Sequence, residues 1–445
     1  MPAQIHYFTL QDETPRKEKL DWFRNNKLSD LEMERIHPDE KGNWLNITDN
    51  DFEDLLPLAS KEVKGNKAGV EFDKAVFKLN ANGIKTNRDE WVYDFDRENL
   101  IKKIEYFSEK YEKQMKSGLL GNDDLDYSIK WSRDLKNKLA VNRKFTFAKN
   151  KIKNSIWRPF TTKYFYSEKI LNDVLTENHF DIFGKNLDLE NQIISISGLS
   201  AAKPFQVLVT KSISDYEHIE KSINLPLYRY DETGNRIENI TDWGLEQFRQ
   251  HYTTHGMTSS HAMSLSKEAI FHYVYAVLHN PAYRKKYEQN LKRDFPRIPF
   301  YDDFDQWAAW GKALMELHIN YEAPLPPEGE LMKVIETKIP PLGVRGLRVK
   351  LKADKETGII EIDEQTTLTG IPTEAWAYKL GNRSALEWIL DQYKESKPTD
   401  PTILEKFNHY RFADYKEEVI VLLQKVCTVS VETMKIIRAM ETSVK

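Results

Sequence analysis

Arg284, Lys285, Lys286, Lys292, Arg293 and Arg297 place six cationic side chains within fourteen residues, opposed only by Glu288 and Asp294. Phosphate groups need long cationic side chains converging on one surface, and base edges need rigidly held Arg, Lys, Asn or Gln. A solvated helix face has the same composition, so the cluster alone supports either reading. Two other stretches offer similar chemistry. Lys85-Thr86-Asn87-Arg88 is a polar loop suited to backbone contacts. Lys144, Lys149, Lys151, Lys153, Arg158 and Lys163 are interleaved with aromatic residues, as in grooves that track a nucleic-acid strand. The candidate contact set is therefore Arg284, Lys285, Lys286, Lys292, Arg293, Arg297, Lys85, Asn87, Arg88, Arg158 and Lys163.

Groups that could do covalent or metal chemistry are weaker. Ser200-Ala201-Ala202-Lys203 matches the Ser-x-x-Lys of acyl enzymes, but neither Ser-Asp-Asn nor Lys-Thr-Gly accompanies it, and it reads as a loop between strands. His251, His255 and His261 lack a cysteine or glutamate at a metal-ligand spacing, and Gly256 interrupts a helix there. His272, His279 and His318 lie on aromatic-rich helical runs and read as hydrogen-bonded core or boundary residues. Cys427, the one cysteine, excludes an internal disulfide and reads as packing in the apolar run from Val421 to Val429. No glycine-rich phosphate loop of the dinucleotide or helicase-motor type occurs. The expectation is no catalytic residue and no metal.

The elements that must position the basic cluster are clear in outline. Ala269–His279 is a helix with a broad apolar face, opened by Ser266 and Glu268. Asn280-Pro281 stops it and suits the start of the next, a basic helix from Tyr283 to Asp294. Two prolines make Phe295–Phe300 an extended elbow, and Asp303–His318 is an aromatic helix. Elsewhere the patterning predicts helices over Thr14–Asn25, Glu98–Met115, Asp123–Leu139, Ala385–Tyr393, Tyr415–Val426 and Val431–Met440. Strands are expected at Ile5–Leu10 and Trp91–Tyr93, as a pair Gln192–Ser197 with Phe205–Thr210, and as an edge strand Leu225–Tyr230. Leu347–Ile362 reads as a hairpin turning at Asp354–Gly358, and Pro324–Pro327 as a rigid linker. Strands and helices without regular alternation imply an α+β fold of mixed small sheets, helix-rich at its centre and C-terminus.

The sequence resembles the C-terminal specificity region of type ISP restriction-modification enzymes, single chains that combine nuclease, helicase, adenine methyltransferase and DNA target-recognition parts. The residues that carry the resemblance centre on Ile270–His279, Tyr283-Arg284, Asn290-Leu291-Lys292, Phe295–Phe300 and Leu317–Glu322. Further matches follow in order: Pro38-Asp39, Trp44-Leu45-Asn46, Gly83–Asp89, Arg158-Pro159-Phe160, Leu225–Tyr228, Gly370-Ile371-Pro372, Ala385–Trp388 and Val429–Thr433. The resemblance implies a DNA-binding target-recognition module over 141–445, preceded over 1–140 by a connector like the tail of a methyltransferase domain. It implies that duplex DNA is the ligand and that a methyltransferase and helicase–nuclease polypeptide of the same system is the partner. The methyltransferase tetrad Asn-Pro-Pro-aromatic has only Asn280-Pro281-Ala282-Tyr283 to offer, between two helices, where it reads as a cap. S-adenosylmethionine is thus expected only in parts outside this chain.

With 445 residues, 40% hydrophobic and 12% aromatic, the chain is long enough for two to three packed domains. A formal net charge of -4 makes any nucleic-acid surface a local patch. No apolar run approaches a membrane span, and a cytoplasmic location is expected. Two rival readings remain: a degenerate S-adenosylmethionine-dependent DNA methyltransferase, distinguished by cofactor binding, and a protein-interaction scaffold, distinguished by the absence of salt-dependent DNA affinity.

Overall fold

The computed structural model describes residues 4–11, 14–38, 44, 48, 50–59, 74–119, 121–323, 331–337 and 347–443. The linker expected at Pro324–Pro327 lies outside them. Helices are interspersed with antiparallel sheets of two to four strands, an α+β fold. No helix among the described residues is long and apolar enough to cross a membrane.

The helices Lys267–His279 and Phe304–Ile319 form the centre. The first is apolar nearly all round, from Ile270 to Leu278, and is accordingly buried. The pair packs so closely that a Cβ on Gly311 would overlap the carbonyl oxygen of His272, which is why glycine stands there. Asn280 accepts the N–H of Ala282 at 2.9 Å with Pro281 next in line, the expected cap. The basic run that follows is not the single helix expected from Tyr283 to Asp294. It is two short ones, Pro281–Lys286 and Glu288–Leu291, broken at Tyr287. That ring is buried beside Phe52, and its hydroxyl donates to Asp51 at 2.8 Å, a tertiary anchor that overrides helix propensity. Hydroxyls hold the proline elbow in place. Tyr273 donates to the Pro299 carbonyl at 2.9 Å, and Tyr283 to that of Arg297 at 2.8 Å.

Beside the helix pair lies a four-stranded antiparallel sheet in the spatial order Ala81–Asn82, Ile223–Pro226, Ile193–Ile196, Val207–Thr210. The last two are the pair read from the sequence. Ile223–Pro226 is interior rather than an edge, but its register with Ala81–Asn82 covers only Ile223 and Asn224, so Pro226 lies beyond that short strand and has edge character on that side. Tyr275 joins sheet to helices: its hydroxyl accepts the N–H of Val209 at 3.0 Å and bonds His318 Nδ1 at 2.6 Å.

A second core surrounds the helix Arg97–Ser117, capped by Asp96 and ended by Gly118 at φ 68. Trp91, Tyr93, Phe165, Tyr166 and Leu171 join it, so residues on both sides of position 140 share one core. Two local expectations fail here. Trp91-Val92 belongs to a short helix, Asp89–Val92, leaving only Tyr93–Asp94 as strand. Asp123–Leu139 is a turn at Asn122–Asp124 and a separate helix, Arg133–Ala140, started by Ser132 accepting the N–H of Leu135.

The third core lies under the sheet Lys333–Glu336, Thr366–Thr369, Ile359–Asp363, Val349–Asp354, whose last two strands are the expected hairpin. The helices Ala385–Gln392 and Lys416–Ser443 close it. The latter is one helix where two were expected. Ser430 donates its hydroxyl to the Val426 carbonyl at 2.7 Å, so its polar group is satisfied inside the helix, where it is buried.

Candidate nucleic-acid interface

Once folded, the basic residues divide into those the fold consumes and those it leaves outside. Arg88 is fully buried: it donates to the carbonyl of Leu171, to Ser132 Oγ at 2.6 Å, and pairs with Asp173 at 3.2 Å. Arg284 is half-buried, its Nε donating to the Leu278 carbonyl at 2.6 Å. Its guanidinium lies near Tyr275, Tyr283 and Tyr378, and burial pushes it down to about 10, so it stays charged at neutral pH. Both arginines serve the fold as cross-links. Lys286 pairs with Asp51 at 2.8 Å and Arg297 with Glu53 at 2.6 Å, tying the basic segment to residues 51–53. Lys292 pairs with Glu288 at 3.0 Å. Lys285 and Arg293 remain exposed, with no side-chain partner among the described residues.

Arg158 and Lys163 occupy a similar middle ground. Arg158 lies over the Trp157 ring at 3.9 Å and pairs with Asp215 at 2.7 Å. Lys163 holds its amine 4.5 Å from the ring centres of both Phe95 and Trp157. Burial, reinforced by the neighbouring Arg158 charge, brings that amine down to about 7.

Arg158 matters for what it positions. Asp215 opens a loop whose backbone is fixed from three sides: Asp215 N–H donates to the Ile156 carbonyl, Tyr216 N–H to that of Ile84, and Gly83 N–H to that of Ser222, each at 2.9 Å. The Asp215 carboxylate also accepts the N–H of Glu217 at 2.9 Å. Burial raises this carboxyl to about 6, and the Arg158 charge opposes the rise. The result is a Tyr216 on a rigid backbone, with exposed Lys85 6.0 Å from its ring centre. Asn87, in the same loop as Lys85, is held at φ 57 and donates to Asp173 at 2.6 Å.

These loops share one end of the four-stranded sheet, because Ile223 pairs with both Asn82 and Ile196. Gly83 follows one strand, Gly198 another, and Lys221-Ser222 precede the third. Between them opens a cavity of about 230 Å³ lined by Asn82, Gly198, Leu199, Tyr216, Lys221, Ile223 and Phe295. Phe295 comes from the proline elbow, and the Ser200 N–H donates to the Lys292 carbonyl at 2.8 Å. The loop at Lys85 and the basic segment ending at Arg293 therefore flank the same cavity. Tyr216, Lys221 and Phe295 were not singled out from the sequence as contacts. Gly83 and Gly198 were its only local hint, as residues that permit close backbone approach.

The histidines behave as packing groups. His318 bonds Tyr275 and, through Nε2, Thr433 at 2.9 Å; burial pushes it down to about 3. His279 Nδ1 bonds the Tyr275 carbonyl, and burial likewise keeps that ring uncharged. His251 stacks on His255 and Phe300, while His261 pairs with Asp305 at 3.2 Å. No group of three metal-ligating side chains is assembled among the described residues. Cys427 is buried, its thiol pushed up to about 12 by burial.

The fold is that of a specificity domain. The model of the type ISP C-terminal specificity domain matches residues 75–422, and the chain belongs to that family. Three solved structures are similar to it. A DrdV–DNA complex matches at TM-score 0.82 with 43% identity, covering 95% of this chain and 42% of that one. A nuclease-deletion mutant of the type ISP restriction-modification enzyme LlaGI, in complex with a DNA substrate mimic, matches at 0.73 with 29% identity, over 98% and 39%. The ATP-dependent type ISP enzyme LlaBIII, bound to DNA, matches at 0.72 with 26% identity, over 92% and 25%. The chain thus spans less than half of each of these proteins. A search of the curated proteins finds no match.

Proposed function

We propose that this chain is the DNA target-recognition module of a type ISP restriction-modification system. It grips duplex DNA with the sheet end that carries Lys85, Tyr216, Lys221 and Arg293. It recognises a short site and presents the target adenine to an S-adenosylmethionine-dependent methyltransferase, while a helicase–nuclease restricts under the same recognition. The observation that carries this reading is the convergence of two basic segments, far apart in sequence, on one aromatic-walled cavity. Family membership and the DNA in the three similar structures support it.

Methylation and restriction fall to the methyltransferase and helicase–nuclease parts of the same system, working in the cytoplasm. The helix Arg16–Asn25 and the turn after it offer a place to dock: none of the helix's residues is buried, Leu20 and Phe23 on it are 48% and 53% exposed, and Leu28 in the turn is 74% exposed. Apolar surface exposed in one short segment marks an interaction site.

The test is binding of the purified chain to random-sequence duplex DNA at two salt concentrations, with and without S-adenosylmethionine. Phosphate-driven binding falls steeply as salt rises and is indifferent to the cofactor. Cofactor-dependent binding, or none at low salt, would overturn recognition by this chain alone.

A further inference from the structure

We infer that the cavity at the sheet end is a receptor for one unstacked nucleobase of the bound DNA, a proposal that rests on the DNA-binding reading above. At about 230 Å³ it is smaller than the roughly 300–1,000 Å³ of a pocket for a drug-sized ligand. It suits a single heteroaromatic ring system. Tyr216 and Phe295 give it aromatic walls, on which any base can stack. Lys221 in its lining and Lys85 beside Tyr216 place positive charge where the flanking phosphates of an extruded nucleotide would lie.

The cavity is built and locked. A Cβ on Gly198 would overlap the carbonyl of Lys221, and one on Gly83 would overlap the carbonyl of Asp215, so the loops meet backbone to backbone. Gly198 N–H donates to the Glu220 carbonyl at 3.1 Å, and the Glu220 carboxylate accepts the N–H groups of Ala202 and Lys203 at 2.7 and 3.1 Å. The Lys221 amine donates to the Ser200 carbonyl at 2.9 Å. Ser200, Glu220 and Lys221 are all held at positive φ, at 62, 66 and 55°. Left-handed residues that are not glycine persist where surrounding structure enforces them, and they concentrate at ligand sites. A gap left by loose packing would need none of this bracing.

Extrusion has a signature that groove reading lacks. A base that is already mispaired costs less to unstack, so a mismatch at the extruded position tightens binding. The experiment selects a preferred site from random duplexes with the full chain, then scans single mismatches through it for the wild type, Tyr216→Leu and Tyr216→Phe. We expect one position where the mismatch strengthens wild-type binding about 5- to 150-fold, the range that a few kcal/mol represents. Tyr216→Phe should keep that gain. Tyr216→Leu, which retains apolar bulk without the ring, should lose it. Mismatches that weaken or leave binding unchanged at every position overturn the proposal while salt-sensitive duplex binding survives, and so does a gain that persists in Tyr216→Leu. A wild type with no affinity for duplex DNA overturns both readings together.

Discussion

Lys163 keeps its amine between two aromatic faces with no acid within salt-bridge distance among the described residues, while Lys151 and Lys153 on the neighbouring segment are paired. Burial lowers its folded pKa to about 7 from an unfolded value of about 10.4, although the ring faces favour the charged form. The unfolded chain therefore binds more protons between those values, and the sign of linkage makes this residue add stability as pH rises from about 7 to about 10. Lys163→Met should abolish that part of the pH dependence. Urea unfolding of both proteins from pH 7 to 10 would show the wild type gaining relative to the variant; parallel profiles would contradict the assignment. Arg158 makes a different prediction. Removing it by Arg158→Ala leaves the Asp215 carboxylate buried and unpaired, at a cost of about 3 kcal/mol. It should also release the Tyr216 loop, read as lost protection of the Tyr216 and Gly83 amides in hydrogen exchange.

At the scale of elements, the two central helices depend on a glycine for their approach. Gly311→Ala would raise helix propensity by about 1 kcal/mol, yet the added methyl meets the His272 carbonyl. Overpacking wins, and a net loss of about 2 kcal/mol or more is expected in thermal or urea unfolding; a stabilised variant would mean the helices do not pack as described. These helices, the elbow, the paired strands and the hairpin were legible in the sequence, because periodicity, caps and prolines are local signals. The break at Tyr287 and the continuous helix through Ser430 were not. Each is set by tertiary packing: an anchor on Asp51 in one case, burial of Ser430 and of Thr433, which bonds His318, in the other. The candidate site was half legible. Counting charges picks out Lys85 and Arg293, which the fold leaves exposed, together with Arg88, which it buries, and Arg284, which it half-buries, because charge alone does not say which way a side chain faces. Tyr216 and Lys221 carried no pattern; they reach the cavity through a strand order that joins residues 82, 196 and 223.

The whole molecule carries a formal charge of -4, so its affinity for DNA must come from where the cations lie. The fold spends Lys286, Lys292 and Arg297 on ion pairs and leaves Lys85, Lys285 and Arg293 exposed. Each phosphate contact adds about 0.9 to the slope of log affinity against log salt. The most direct test is that slope for the wild type and for the triple variant Lys85→Gln, Lys285→Gln, Arg293→Gln, measured on random duplex DNA. The variant should fold normally, bind more weakly at low salt and show a slope shallower by about 2 to 3. A folded variant with the wild-type slope would place the DNA on another face and contradict the account.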